Sequence, residues 1–229
     1  LLKKSKFKEA KDQCNLVLNI NRDLFGENSL QVAANFSCLA SIYSDQGKFN
    51  EAIKYSKRSL EIKEKILGPE NPDIASSISA LAMEYESIAD YRMAAELYKR
   101  KLNIHENSLG KNHPESASAL TPLGFMFFNS SDYRKSEEYF LRALSILENK
   151  LGENHPKLRN TLSGLITLYE KLENYDQSIK YLFRLYELKK ALHGINHPDT
   201  AQVIERMGKL SLDFNAKAAL QFFETVQLI

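Results

Sequence analysis

The sequence has few glycines, few prolines and only two cysteines. Nine Gly and six Pro among 229 residues leave little material for long loops, flexible linkers or a collagen-like chain. Cys14 and Cys38 are too few for a disulfide framework, so we expect free thiols in a reducing compartment. A run of about 18 apolar residues is also lacking, and we therefore predict no membrane span and a cytoplasmic location.

An excess of charge of one sign is absent as well. The chain has 31 Lys and Arg against 29 Asp and Glu, a net charge of +2. So small a charge does not favour binding to a phosphate backbone or to an anionic membrane, and we expect no nucleic-acid partner and no membrane partner. Apolar residues make up 43% and charged residues 26%, which is typical of globular proteins and excludes wholesale disorder.

Signatures of catalysis are missing too. The sequence contains no G-x-x-x-x-G-K-[ST], no H-E-x-x-H and no G-x-S-x-G motif. No G-x-G-x-x-G follows a strand pattern either. We predict a protein without catalytic residues and without a cofactor, and hence not an enzyme.

What the sequence does contain is a repeat of 42 residues. Glycines recur at that spacing at Gly26, Gly68, Gly110, Gly152 and Gly194. Prolines follow the same spacing at Pro72, Pro114, Pro156 and Pro198. A small residue does so at Ala52, Ala94, Ser136 and Ser178, where close helix crossings are expected. Self-similarity at a fixed period, here without one insertion, indicates a repeat architecture.

Each repeat has the pattern of two helices. Asn71 can cap the first helix, and Pro72 fits its first position, where a missing N–H has no effect. Apolar residues then recur at spacings of three and four, at Ile78, Leu81, Ala82 and Tyr85. Asp90 can cap the second helix, which ends at Gly110. No repeat can bury its own apolar face, so each must stack on its neighbours.

These residues resemble the tetratricopeptide repeat. The pattern Leu81-Ala82-x-x-Tyr85 is followed by Tyr91-x-x-Ala94-x-x-x-Tyr98. The 42-residue period and the segments LGKNHP at 109–114, LGENHP at 151–156 and HGINHP at 193–198 resemble the longer, kinesin-light-chain type. The resemblance covers nearly the whole chain. It implies an all-α fold, a right-handed α-solenoid of antiparallel helix pairs in which the first helices line a concave groove.

On this basis we expect one continuous domain over residues 1–229. An orphan helix should occupy about 8–25, and helix pairs should start near 31, 73, 115, 157 and 199. The second helix of the last pair is expected at roughly 216–229. The apolar end of that helix and the unpaired opening helix would leave both ends of the array uncapped. Because the chain starts at Leu1 without a Met or a signal peptide, we expect it to be a piece of a longer protein.

The resemblance also implies which residues line the groove. Small hydroxyl side chains dominate these positions, and they leave room for a ligand and offer hydrogen bonds to a peptide backbone. The predicted peptide-binding residues are Ser41, Ser44, Ser76, Ser79, Met83, Glu86, Ser118, Thr121, Phe125, Phe128, Asn129, Asn160, Ser163, Thr167, Glu170 and Lys209. The alternative interpretation is that small residues only allow a curved array to close on itself.

Met83, Phe125 and Phe128 are the most distinctive members of this set. We expect them to form an exposed apolar patch in the middle of the groove, with Asn129 beside it, as exposed apolar patches often mark partner sites. The alternative is that Phe125 or Phe128 turns inward to the core. Pro122 lies inside a first helix and is expected to kink it.

His113, His155 and His197 precede prolines in successive repeats. Packed helices lie about 8–10 Å apart, whereas metal ligands must lie within about 2 Å of one ion, so the three histidines do not share a metal. We expect them to act in capping or turns, and we predict no metal site.

The function expected from these features is a non-catalytic scaffold or adaptor that binds a peptide segment of a partner protein in its groove. Two alternatives stay open. The array could be structural and associate end to end with copies of itself through its uncapped ends. It could also be the regulatory sensor arm of a larger enzyme or transcription factor.

Overall fold

The structure, a computed structural model, describes residues 2–214, and it describes side chains from residue 6 to residue 210. Over these residues the chain forms ten α-helices, one short 3-10 helix and no strand. The bounds are α1 Leu2–Phe25, α2 Leu30–Asp45, α3 Phe49–Leu67, the 3-10 turn Pro72–Ile74, α4 Ala75–Ser87, α5 Tyr91–Leu109, α6 Pro114–Asn129, α7 Tyr133–Leu151, α8 Leu158–Lys171, α9 Tyr175–His193 and α10 Pro198–Phe214. The helix predicted at 216–229 lies outside the described residues.

The helices belong to two compact units that divide after Lys111. Unit 1 contains α1 to α5 and unit 2 contains α6 to α10. Within each unit, every helix packs against the next one along the chain, and the short connections make neighbouring helices antiparallel. The predicted all-α solenoid of helix pairs is confirmed. That residues 1–229 form one continuous domain stays a prediction.

Side-chain caps mark the start of three second helices, α5, α7 and α9. Asp90 Oδ1 accepts a 3.1 Å hydrogen bond from the backbone N–H of Met93, and Asp132 and Asn174 cap α7 and α9 in the same way. Each second helix then ends at a glycine of the 42-residue series. Gly110, for example, has a φ of +92°, a conformation that residues with a β-carbon rarely adopt.

The small residues of the repeat are buried between packed helices. Ala52, Ala94, Ser136 and Ser178 are all fully buried. Ser136 Oγ donates a 2.8 Å hydrogen bond to the carbonyl of Gly124 on the preceding helix. Neighbouring second helices are also joined by ion pairs at equivalent positions of the repeat, such as Arg100 Nη1 with Glu64 Oε1 at 2.5 Å. The burial of the small residues agrees with the packing role expected for them, and close helix crossings at these positions stay a prediction.

The expectation of free thiols is wrong, because Cys14 and Cys38 form a disulfide. Helix α1 packs on α2 and brings the two Cα atoms to 6.8 Å, within the range that a disulfide spans. Cys14 belongs to a buried apolar cluster with residues such as Phe36 and Leu39. Two cysteines are too few for a framework but enough for one cross-link, so the inference of a reducing compartment loses its basis. A cytoplasmic location stays a prediction.

Pro122 lies inside α6, which is helical on both sides of it from Pro114 to Asn129. The kink expected at this proline stays a prediction. Of the helices described, none is both long enough and apolar enough to cross a membrane.

Candidate functional site

Unit 1 contains a cavity of about 530 Å³ along the first helices α2 and α4, with a wall contributed by α3. Four of the predicted groove residues line it: Ser41, Ser44, Met83 and Glu86. Small side chains supply most of the remaining wall, and the Met83 side chain is 59% exposed at its edge. We refer to this space as the unit 1 cavity.

The most unusual residue of the cavity wall is Glu84, which is only 5% exposed. Its Oε1 accepts a 2.7 Å hydrogen bond from Ser56 Oγ, whereas its Oε2 is buried and has no hydrogen-bond partner among the described residues. Burial raises the pKa of the Glu84 carboxyl, and the hydrogen bond from Ser56 opposes that shift only in part. A buried carboxylate with one unsatisfied oxygen is costly to the fold.

Neither Glu84 nor Ser56 is among the predicted groove residues, although the repeat register contains a signal for them. The positions equivalent to Glu84 are apolar and buried: Ile42, Met126, Leu168 and Leu210. The positions equivalent to Ser56 are Cys14, Tyr98, Phe140 and Leu182, which are also buried. In this one pair, a carboxylate replaces an apolar side chain and a serine replaces a larger residue. Both Ser56 and Glu84 line the unit 1 cavity.

Glu86, one turn from Met83, also lines the cavity. It is half-buried and accepts a hydrogen bond from the hydroxyl of Tyr98 on α5. Burial raises the pKa of Glu86, and the Tyr98 hydrogen bond opposes the shift. Burial together with the neighbouring Glu86 also raises the pKa of Tyr98. The two remaining predicted residues of unit 1 are Ser76, which is exposed, and Ser79, whose buried Oγ has no partner among the described residues.

In unit 2 the predicted groove residues differ in their exposure. Those exposed to solvent are Ser118, Asn129, Asn160 and Lys209. Those half-buried are Phe125, Phe128, Ser163, Thr167 and Glu170. Thr121 is buried, and its Oγ1 lies 2.8 Å from Thr161 Oγ1. Glu170 is held by Arg206, whose Nε and Nη2 lie 2.9 Å and 2.6 Å from its two oxygens.

The two phenylalanines of the predicted patch contact the helix that follows them. The Phe125 ring lies edge-on to buried Phe140, with 4.9 Å between the ring centroids. The Phe128 ring lies 5.7 Å from that of Tyr133. Met83 belongs to the other compact unit. A common patch of Met83, Phe125 and Phe128 stays a prediction.

The histidines before the prolines act in capping or turns, as expected: His113 is the N-cap of α6, and His155 lies in the turn before α8. The backbone N–H of Glu115 donates to His113 Nδ1 at 3.2 Å. His155 and His197 accept from Lys157 and Asp199 in the same way, at 3.2 Å and 3.1 Å. Within the described part of the chain, no group of three His, Cys, Asp or Glu side chains is placed to hold a metal ion.

Two family models of the tetratricopeptide repeat match the chain, at residues 31–107 and 116–157, together more than half of its length. The chain belongs to the tetratricopeptide repeat family. Repeats of this family mediate protein–protein interactions, and the protein is an interaction scaffold of that kind. No curated protein sequence matches this tetratricopeptide repeat protein.

Solved structures share its fold at low sequence identity. BtubC (BKLC) from P. vanneervenii superposes with a TM-score of 0.76 and 20% identity, over 97% of this chain and 91% of that one. A Podosopora anserina protein described as a kinesin light chain with nearly identical TPR-like repeats has a TM-score of 0.72 and 19% identity, over 83% and 90%. The apo form of RapI has a TM-score of 0.64 and 19% identity, over 86% and 75%. This tetratricopeptide repeat protein thus shares its fold with a protein described as a kinesin light chain.

Proposed function

We propose that this protein binds a peptide segment of a partner protein along its first helices, without catalysing a reaction. The observation that carries the proposal is the unit 1 cavity, which opens beside the exposed Met83 and has small hydroxyl side chains in its wall. Short side chains leave room for a peptide, and their hydroxyls can bond to its backbone. An adaptable thioether at the edge suits apolar side chains of different shapes.

The proposal is tested with peptides selected from a random library displayed on phage against the 229-residue chain. A tryptophan at Ser41, which is exposed in the cavity wall, should block the cavity without changing the charge. We expect Ser41→Trp to weaken binding of the selected peptides by at least about tenfold, measured by fluorescence anisotropy.

The matched control is Ile66→Trp, which places the same side chain at a 45% exposed position on the second helix α3. It should leave the affinity unchanged. Equal binding by the wild type and Ser41→Trp would contradict the proposal, as would a library from which no binding peptide is selected.

End-to-end self-association is the second candidate, and one observation favours it. Helix α1 has exposed apolar side chains on its outer surface: Leu16, Val17, Ile20 and Leu24. Sedimentation over a range of protein concentrations tests this candidate. A monomer at every concentration removes it, whereas a concentration-dependent dimer that Leu24→Glu dissociates supports it. The sensor-arm alternative stays a prediction.

A further inference from the structure

We propose that the unit 1 cavity binds a basic side chain of the partner peptide, the ammonium of a lysine or the guanidinium of an arginine, through the Glu84 carboxylate. This inference rests on the proposed function and names the chemistry that the partner presents to the cavity.

The first support is the unsatisfied oxygen of Glu84. Ser56 is a small donor that occupies only Oε1, and Oε2 is buried without a partner among the described residues. Buried polar atoms in native proteins nearly always have a hydrogen-bond partner. An entering ammonium or guanidinium would donate to Oε2, and a charge-assisted hydrogen bond of this kind is stronger than a neutral one.

The second support is the charge of the cavity wall. Asp45, Glu84 and Glu86 contribute carboxylates, and none of the described lining residues is basic. Lys63 reaches the wall from α3, where its Nζ donates a 2.6 Å hydrogen bond to Ser77 Oγ. Burial lowers the pKa of Lys63. Three carboxyl groups against this one amine leave the wall with an excess of acidic groups, which favours a cation as the occupant.

The third support is the shape of the site. Ser56 stands where the other repeats have Cys14, Tyr98, Phe140 and Leu182, and both Ser56 and Glu84 line the cavity. Lys and Arg side chains combine a long apolar stem with a charged end. The stem would lie along Ala40, Ala80 and Met83, which line the same cavity, and the charged end would reach Glu84.

The experiment compares peptides that differ only in positive charge. Peptides selected on the wild-type chain are synthesised with acetylated N-termini and amidated C-termini, so that only side chains bring positive charge. In each peptide the Lys and Arg residues are replaced one at a time by norleucine, which keeps the apolar stem. We expect one replacement to weaken binding to the wild type by about tenfold or more.

Glu84→Gln tests whether this loss depends on the Glu84 carboxylate. Glutamine keeps the size of the side chain and can still accept the Ser56 hydrogen bond. The Glu84→Gln variant should therefore bind the norleucine peptide and the original Lys or Arg peptide with equal affinity. Glu96→Gln is the matched control, because it removes one exposed carboxylate from α5 in the same unit. That control should retain the tenfold preference for the basic residue.

A second variant combines Ser56→Leu with Glu84→Leu and so copies the equivalent apolar pair Leu182 and Leu210. It controls for the case in which Glu84→Gln loses binding because it misfolds. It should keep its helical circular dichroism and lose the preference for Lys and Arg. Selected peptides that bind equally with norleucine would overturn this inference and leave the proposed function standing. A preference that persists in Glu84→Gln would also overturn it. If no peptide is selected at all, the proposed function and this inference both fail.

Discussion

The ring of Phe140 occupies the space that a β-carbon at Gly124 would need. Its Cε1 would lie 2.5 Å from such a carbon, and the same ring stands equally against Gly164 on the following first helix. Phe140 is fully buried, so it cannot move aside into solvent. The two glycines of α6 and α8 are therefore required by a single aromatic ring between them.

We predict that Gly124→Ala lowers the free energy of unfolding by about 1–3 kcal/mol, through overpacking against Phe140. Alanine favours a helix over glycine by about 1 kcal/mol, but that gain is smaller than a forced shift of a buried ring. Urea denaturation measures the difference. In a Phe140→Leu background, which copies the equivalent Leu182, the same substitution should become neutral or stabilising. An equal penalty in both backgrounds would show that the ring is not its cause.

The variant Glu84→Leu with Ser56→Leu should be more stable than the wild type at neutral pH. It removes a buried carboxylate with an unsatisfied oxygen, and leaving such a group unpaired costs at least about 1–3 kcal/mol. Urea denaturation should show a gain of that order. A loss of stability would indicate that the wild-type pair is fully satisfied, for example by a bound water.

The stability of the wild type should also depend on pH through Glu84. Burial raises its pKa in the folded state, so the folded protein binds this proton more tightly than the unfolded chain does. The free energy of unfolding therefore falls as pH rises from the ordinary glutamate pKa through the raised one. Glu84→Gln should lack this part of the slope, while Glu86 and Lys63 titrate in both proteins. Identical slopes in the two proteins would contradict the shift.

Reduction of the disulfide should destabilise unit 1. Cys14 and Cys38 are 24 residues apart, and closing a loop of that length stabilises a fold by about 3 kcal/mol in the chain-entropy model. We expect a reductant to lower the urea midpoint of the wild type and to leave a Cys14→Ser, Cys38→Ser protein unchanged. Alkylation of the unreduced, denatured wild type should label no thiol. Two labelled thiols would show that the bond does not form.

The histidine caps should tolerate asparagine but not alanine. Asn71 occupies the equivalent position in an earlier repeat, and its Oδ1 accepts from the backbone N–H of Asp73 at 2.8 Å. His113→Asn should therefore preserve the free energy of unfolding, whereas His113→Ala should lower it by about 1 kcal/mol. Thermal melts of both variants measure this. Equal effects of Asn and Ala would exclude a capping role for the His113 side chain.

The sequence was sufficient to predict the helices because their signals are local and repeated. Each helix boundary has a signal within a few residues of it. A proline marks the start of a first helix, a residue such as Asp90 precedes a second helix, and a glycine follows it. The same signals recur at 42-residue spacing in the other repeats, so each predicted helix boundary is checked against its equivalents. The capping role of His113 could be predicted for the same reason.

The interior of the candidate site was harder to predict because it depends on pairs of residues far apart in the sequence. Ser56 and Glu84 are 28 residues apart and meet only when α3 packs against α4. Cys14 and Cys38 likewise meet only because α1 packs on α2. The contact of Phe125 with Phe140 depends on which way a ring turns in a run of four apolar residues, which periodicity does not decide.

All repeats have the same length, so a whole 42-residue block can be duplicated, lost or exchanged without changing the phase of the helices around it. Ser56 and Glu84 lie within one such block, since the register that starts at Phe49 returns at Tyr91. A transplanted copy of residues 49–90 would therefore take the Ser56–Glu84 pair to a new place in the array, and the block before it there would supply the opposite wall that α2 supplies here.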